Sequence, residues 1–398
     1  MTFDEFKQEV TDHIKDYLPV GYQDAQVELK DVIKNNDTHL TGLTIHTEDN
    51  SISPTLYLEN YYEAVESGQH SLSGIMLKMA ETYDAAMNND IAKDAKDLVE
   101  HITDYDATKE KILPRVVSRE NNEERLKDMP HKEIGDLAVT YHVDLGKGED
   151  GSMSVAISNA MMEKYGVSVD ELHDQACANM ENLTPTQIKS MADTLMEIMV
   201  PDYANMSEEQ REQTKYEIGL SGPGEDAMYV ISNSEKTFGA AALLDSDAMD
   251  KIEAQIGEFY ILPSSVHECI LVPKNEDTDL ATLENMVQEV NATQVSKEEK
   301  LSDHVYAYDS ETKEIYRADQ EAEHKLAKES QRTEVTEEKS DKTVTQKTAV
   351  SKDKKEEPKE RPSLKAKLEE KKKESKELAK DHKDKELTKN KNKGKGAI

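Results

Sequence analysis

An imidazole, a carboxylate and a thiol stand side by side at His267, Glu268 and Cys269, inside the otherwise apolar stretch FYILPSSVHECILVP (259–273). The first two open the zinc-protease pattern H-E-x-x-H, whose second histidine must follow one helical turn later on the same face. Position 271 is Leu, and the local alternation is that of a strand. On a strand His267, Cys269 and Leu271 share one face while Glu268, Ile270 and Val272 share the other, so Glu268 is badly placed to orient His267. His173 and Cys177 lie four apart on a predicted helix and share a face. If that helix met the strand, His173, Cys177, His267 and Cys269 would offer two His and two Cys to a metal, or a Cys–His pair to nucleophilic chemistry. The competing reading is structural: cysteine is often buried as a small hydrophobe, and His173 and Cys177 flank the apolar stripe Leu172, Ala176, Met180. Arg115 and Arg119 in ILPRVVSRE are cations in an acidic chain, serving either nearby carboxylates or an anion at a strand end. His267, Glu268, Cys269 and Arg115 are therefore the candidates for an assembled catalytic site, and no cofactor is expected.

Two glycine-rich stretches imitate known signatures and fail them. GKGEDG (146–151) matches G-x-G-x-x-G, but SMSVAIS follows with strand alternation where a helix must open, and Glu149 and Asp150 would face a phosphate with like charge. A hairpin loop is expected there. GLSGPG (219–224) lacks the glycine two places after Ser221 that a nucleophile elbow needs, since that place is Pro223. No G-x-x-x-x-G-K-[ST] stretch occurs.

The elements that would position these residues follow from periodicity. Thr2 with Glu5 reads as a capping box, and Phe3, Phe6, Val10, Ile14 and Tyr17 form one stripe of a helix over 2–18. Strands are predicted at AQVELKDV, HLTGLTIHT and SPTLYLENYY, then helices over 71–87 and about 90–104. Further strands are expected at ILPRVV, LAVTYHV, MSVAIS, AMYVIS, FYILP and HECILV, with helices near 168–182, 186–199, 207–216, 245–256 and 278–291. HVYAYDSETKEIYRA reads as a last hairpin. One internal echo appears: strand, Asn60 or Asn159, short helix, Gly68 or Gly166, longer helix. The class is α+β with mixed or antiparallel sheets. The expected organisation is a lobe over 1–110, a second over 111–317 and a disordered tail over 318–398.

Charge separates body from tail. The 398-residue chain carries a net charge of −33, with 36% hydrophobic residues and no Trp, too polar an average for a chain folded throughout. From Asp319 onward about 24 Lys plus Arg face about 19 Asp plus Glu, so the tail is mildly basic and the body more acidic than the whole. An acidic body repels nucleic-acid phosphate and suits basic partners; a basic tail suits nucleic acid or the body itself. MTFDEFKQEV lacks a basic and an apolar signal region, no apolar run approaches a membrane span, and two cysteines make no disulfide framework. A cytoplasmic protein with an unidentified protein partner is expected.

LPVGYQDAQVELKDVIKNN, LTGLTIHTEDNSISPTLYLENYYE, ILPRVVSRENNEERLKDMPHKEIGDLAVTYHV and FYILPSSVHECILVPKNEDTDLATLENMVQEVN resemble an uncharacterised domain-of-unknown-function family of gut Clostridia and other Firmicutes, over residues 1–317. ILPRVV with LAVTYHVDL is more distantly similar to uncharacterised Bacillus-type α+β proteins. The resemblance implies cargo of conjugative elements and assigns no site residue; ERPSLKAKLEEKKKE is similar to the basic tails of proteins of those elements. Three functional readings stand: a non-enzymatic binding or accessory protein of a mobile element, an enzyme assembled around His267 and Cys269, and an acidic DNA mimic acting against restriction.

Overall fold

The computed structural model describes residues 1–47, 53–88, 101–148, 151–219, 228–276 and 278–330. The chain divides into a unit over Met1–Gln331 and another over Arg332–Ile398, and every described element belongs to the first. Expected features at about 90–100, Leu220–Gly224 and beyond 330 lie outside the described residues.

The first unit is built on two apolar cores. In the amino-terminal one, α1 (Phe3–His13) is started by the expected capping box, with the Thr2 N–H donating to Glu5 Oε2 at 2.8 Å and the Glu5 N–H donating back to Thr2 Oγ1 at 3.2 Å. Phe6, Val10 and Ile14, four residues apart, are fully buried. The helix ends at His13 and tightens into a 3-10 turn over Ile14–Asp16, short of the expected residue 18. A three-stranded antiparallel sheet follows, β1 (Gln26–Lys34), β2 (Thr38–His46) and β3 (Thr55–Tyr57). The last predicted strand is cut short where α2 (Leu58–Glu66) begins, because its apolar residues Leu58, Tyr61, Tyr62 and Val65 take helical spacing. After Gly68, at φ 73°, α3 (Leu72–Asn88) buries Ile75, Met76, Met79 and Tyr83 in the same core.

The second core carries two sheets. Past α4 (Tyr105–Thr108), β4 (Ile112–Ser118), β5 (His131–Ile134), β6 (Leu137–Gly148) and β7 (Gly151–Ala156) make a four-stranded antiparallel sheet. β6 and β7 pair up to Gly148 and Gly151, so GKGEDG spans the ends of two hairpin strands and opens no helix. Then α5 (Asn159–Tyr165), Gly166 at φ 69° and α6 (Val169–Leu183) repeat the order β3, α2, Gly68, α3. β8 (Thr186–Ser190) and α7 (Met191–Met199) replace the single helix expected over 186–199. TQIKS pairs as an edge strand with VISN, and Ser190 Oγ then caps the helix by accepting the Asp193 N–H at 3.0 Å. α8 (Glu208–Ile218), β9 (Tyr229–Asn233), α9 (Ser246–Ile256), β10 (Phe259–Leu262), β11 (Cys269–Pro273), α10 (Leu280–Thr293), β12 (Tyr306–Asp309) and β13 (Glu314–Arg317) complete the unit. The six-stranded sheet runs β13-β12-β10-β11-β9-β8, giving the expected α+β class. Folded structure continues past residue 317: residues 321–330 are helical, His324 stacks on Tyr316 with centroids 4.0 Å apart, and Lys328 Nζ meets the Asp309 carboxylate at 2.6 Å.

The turn Asn35–Asn36–Asp37 between β1 and β2 joins the two cores. Asn36, at φ 57°, is 5% exposed. Its Nδ2 donates to the carbonyls of Lys297 and Lys300 at 2.6 and 2.7 Å, and its Oδ1 accepts Asn122 Nδ2 at 3.0 Å while Asn122 Oδ1 accepts the Asn36 N–H at 2.9 Å. Asp37 accepts the backbone N–H groups of Glu124 and Arg125 at 2.8 and 3.0 Å. Asparagine serves here because it tolerates the left-handed backbone and its amide both donates and accepts. Asn36→Ala removes three side-chain hydrogen bonds and keeps the backbone strain, so a loss of about 3 kcal/mol is expected in urea unfolding. Asn36→Gly, which relieves the strain, should lose about 1 kcal/mol less; equal stability of wild type and Asn36→Ala would show that the turn does not hold the cores together.

Candidate functional site

Strand alternation gives the four-stranded sheet one apolar and one polar face. Ile112, Val116, Val139, Tyr141 and Val143 point into the second core together with Leu172, Ala176 and Met180 of α6. The pairings Leu113↔His142, Arg115↔Thr140 and Asp144↔Ser154 place those six residues on the opposite face. That face is roofed by the turn TFGAAALL. Within it Phe238 stands at φ 51°, and Gly239 has no room for a side chain: an added Cβ would lie 2.1 Å from Ser232 Oγ and 2.4 Å from the His267 carbonyl. This close approach fixes Phe238 above the sheet.

Arg115 is held between sheet and roof. Its guanidinium carbon lies 3.5 Å from the Phe238 ring centroid, and Nη2 donates to Ser154 Oγ at 2.6 Å. It forms no ion pair among the described residues, whereas Arg119, four residues on, meets Glu133 at 3.1 Å. Arg125, just after the turn that receives Asp37, lines the same space; its guanidinium makes neither hydrogen bond nor ion pair among the described residues. Desolvation, and then the charge of Arg125, press the Arg115 guanidinium down to about 9, still a cation at neutral pH. Desolvation likewise lowers Arg125, offset in part by Asp37. His142 is buried, and burial followed by the charges of Arg115 and Arg125 holds it neutral. Arg115 and Arg125, partly buried and without an ion pair among the described residues, repel each other, and the nearby charges of Asp144 and Asp37 offset part of that cost.

Two cavities flank this group. One, of about 470 Å³, opens between the cores and is lined by Lys34, Asn35, Arg115, Arg125, His142, Phe238, His267, Ser296, Glu298 and Glu299 among others. The other, of about 300 Å³, lies on the far side of Arg115 and Phe238 and includes Leu113, Pro114, Asp144, Leu183, Asn233, Glu235 and Ala241.

The sequence candidates separate here. Arg115 and His267 line one cavity. His267 and Glu268 lie in the connection before β11 rather than in a strand, as the alternation predicted; the Ser265 N–H bonds the Glu268 carbonyl, Ser265 Oγ accepts the His267 N–H at 3.0 Å, and the His267 carbonyl accepts Ser232 Oγ at 2.7 Å. These local bonds hold the backbone off the ladder. His267 Nδ1 accepts the Phe238 N–H at 3.1 Å, which leaves Nε2 facing Glu299 at 3.6 Å. Cys269 is fully buried in the apolar core, where burial drives its thiol far above the ordinary range. His173 and Cys177 share a face of α6 as expected, with Sγ 3.6 Å from Nε2 and Tyr141 Oη 3.1 Å from Nδ1. Burial raises the Cys177 thiol to about 11 and lowers His173, so neither carries the charge that activates a Cys–His pair. Among the described residues the cluster whose ligand atoms come together as for a metal is Glu284, His304 and Asp319, which includes none of these four. Both cysteines are free, and no described helix is long and apolar enough to cross a membrane.

Sequence reasoning missed Arg125, His142, Phe238 and Lys34. His142 alone left a local signal, a histidine on the same strand face as Thr140 across from Leu113 and Arg115.

The architecture is α+β, with antiparallel sheets and flanking helices. The chain belongs to DUF5688, a family of unknown function whose model matches residues 3–310. No curated protein and no solved structure matches it.

The unneutralised cations make a stability test. Arg125→Met keeps the side-chain stem and removes one charge, so the ligand-free protein should gain about 1 kcal/mol, or roughly 2–4 °C in melting temperature, in a chloride buffer free of oxyanions. A drop of that size would mean that Arg125 is neutralised in solution.

Proposed function

We propose that the protein is a cytoplasmic, non-enzymatic binding protein that takes an anionic ligand in the cleft between its two cores. The observation that carries this reading is the pair Arg115 and Arg125, partly buried, lining one cavity and without a carboxylate partner among the described residues. Desolvated cations persist where an opposite charge completes them, and a binding protein tolerates the cost of the empty state because the ligand repays it. Membership among accessory proteins of bacterial mobile elements is part of the proposal, supported by the sequence resemblance and the basic tail. The alternative, an enzyme around His267 and Cys269, has in its favour that His267 and Arg115 share a cavity; the inward Cys269 and the uncharged His173–Cys177 pair weigh against it.

Calorimetric titration of the full chain with sulfate, phosphate and acetate at constant ionic strength tests the proposal. Saturable binding of at least one of them, lost in Arg115→Gln with the melting transition retained, is the expected outcome. No saturable heat with any of the three up to tens of millimolar would overturn it.

A further inference from the structure

We infer that the ligand is a small phosphate monoester, its dianionic head between Arg115 and Arg125 and its organic body in the neighbouring cavity. This rests on the anion-binding reading above and goes further in naming charge, shape and the second cavity. Charge and donor geometry define the head. Two guanidiniums without carboxylate partners call for two negative charges, and a single phosphate centre supplies both at neutral pH. Ser154 already takes one N–H of Arg115 and Phe238 covers its ring face, so Arg115 has only part of its fork to offer. Three phosphate oxygens can be shared among such partial donors, while two separate carboxylates each want a whole fork. His267 lines the same cavity: its Nδ1 accepts the Phe238 N–H, so a proton it donates sits on Nε2, which faces Glu299 at 3.6 Å in the ligand-free cleft. Of the two acidic residues in this wall, Glu299 is half exposed and meets His267, and Glu298, whose carbonyl accepts Asn35 Nδ2, makes no ion pair with either arginine among the described residues.

The second cavity defines the body. Arg115, His142 and Phe238 line both spaces, so a group bound at Arg115 has the roughly 300 Å³ cavity directly beside it. Leu113, Pro114, Leu183 and Ala241 give that cavity apolar surface, alongside polar lining from Asp144, Thr184, Asn233 and Glu235 that suits a hydroxylated or amine-bearing body. Its volume suits a ring or short chain and leaves no room for a folded partner.

The test titrates the full chain at pH 7.5 with inorganic phosphate, phenyl phosphate, benzoate and phthalate, and repeats phenyl phosphate at pH 5.0. Phenyl phosphate should bind at least tenfold tighter than each of the other three. Because its second ionisation lies near pH 6, its affinity should fall about tenfold at pH 5.0, where the dianion is scarce. If benzoate or phthalate binds as tightly as phenyl phosphate, the anion site stands and the phosphate assignment is overturned. If inorganic phosphate matches phenyl phosphate, or affinity is unchanged at pH 5.0, the organic body or the dianion is overturned in turn. Binding of none of the four overturns this inference, and the anion-binding reading falls with it only if sulfate and acetate also fail to bind.

Discussion

Arg115 carries its charge beneath an aromatic ring, against a sheet face, with no ion pair among the described residues and only the more distant charge of Asp144 in its favour. Much of the surrounding structure makes that position tenable. The contact with Phe238 returns about 1–2 kcal/mol of the lost hydration when water is excluded. Phe238 can sit there because the backbone accepts φ 51° and because Gly239 lets the turn press against Ser232 and the His267 carbonyl. The strand beneath is fixed by pairing along its whole length with β6, whose other face is packed into the larger core. A rigid apolar layer thus supports a polar one, the arrangement that keeps a binding group in place when its ligand is absent.

The two cores give the site its depth. Without the β1–β2 turn, Arg125 and the polar face of the sheet would open to solvent, where a guanidinium needs no partner. The Asn36–Asn122 amide pair and the Asp37 carboxylate close that side; Asp37 does so by accepting the backbone N–H groups of Glu124 and Arg125, which leaves the Arg125 guanidinium without a hydrogen bond among the described residues. The same closure lowers the local dielectric, which raises both the cost of the empty cation pair and the strength with which it holds an anion.

The local layers of this structure were legible in the sequence. Alternation located β4, β6, β7 and β9 to β11, the Thr2–Glu5 capping box fixed the start of α1, and the echo between 55–83 and 154–180 reappears as the same order of parts with a left-handed glycine in each. Arg115 was legible as a cation on a strand, and its two readings could be stated. Choosing between them needed Phe238 and Arg125, which approach from 123 residues further along and from beyond the strand end, contacts that leave no periodic trace. FYILPSSVHECILVP misled for a related reason: Ser265 and the Ser232 hydroxyl bond the backbone around His267, so period-2 pairing stops before Cys269. The helix expected over 186–199 failed where an edge strand borrowed its order from β9, a tertiary choice overriding a local one.

One anion bridging Arg115 and Arg125 would be directly visible in a crystal. A crystal of the full chain grown or soaked with tungstate, a tetrahedral dianion that scatters anomalously, addresses it directly. An anomalous peak is expected between the two guanidiniums, within hydrogen-bond reach of both and on the His267 Nε2 side of the Phe238 ring. A cleft without a peak, with both arginines turned onto carboxylates such as Glu298 or Asp144, would contradict it.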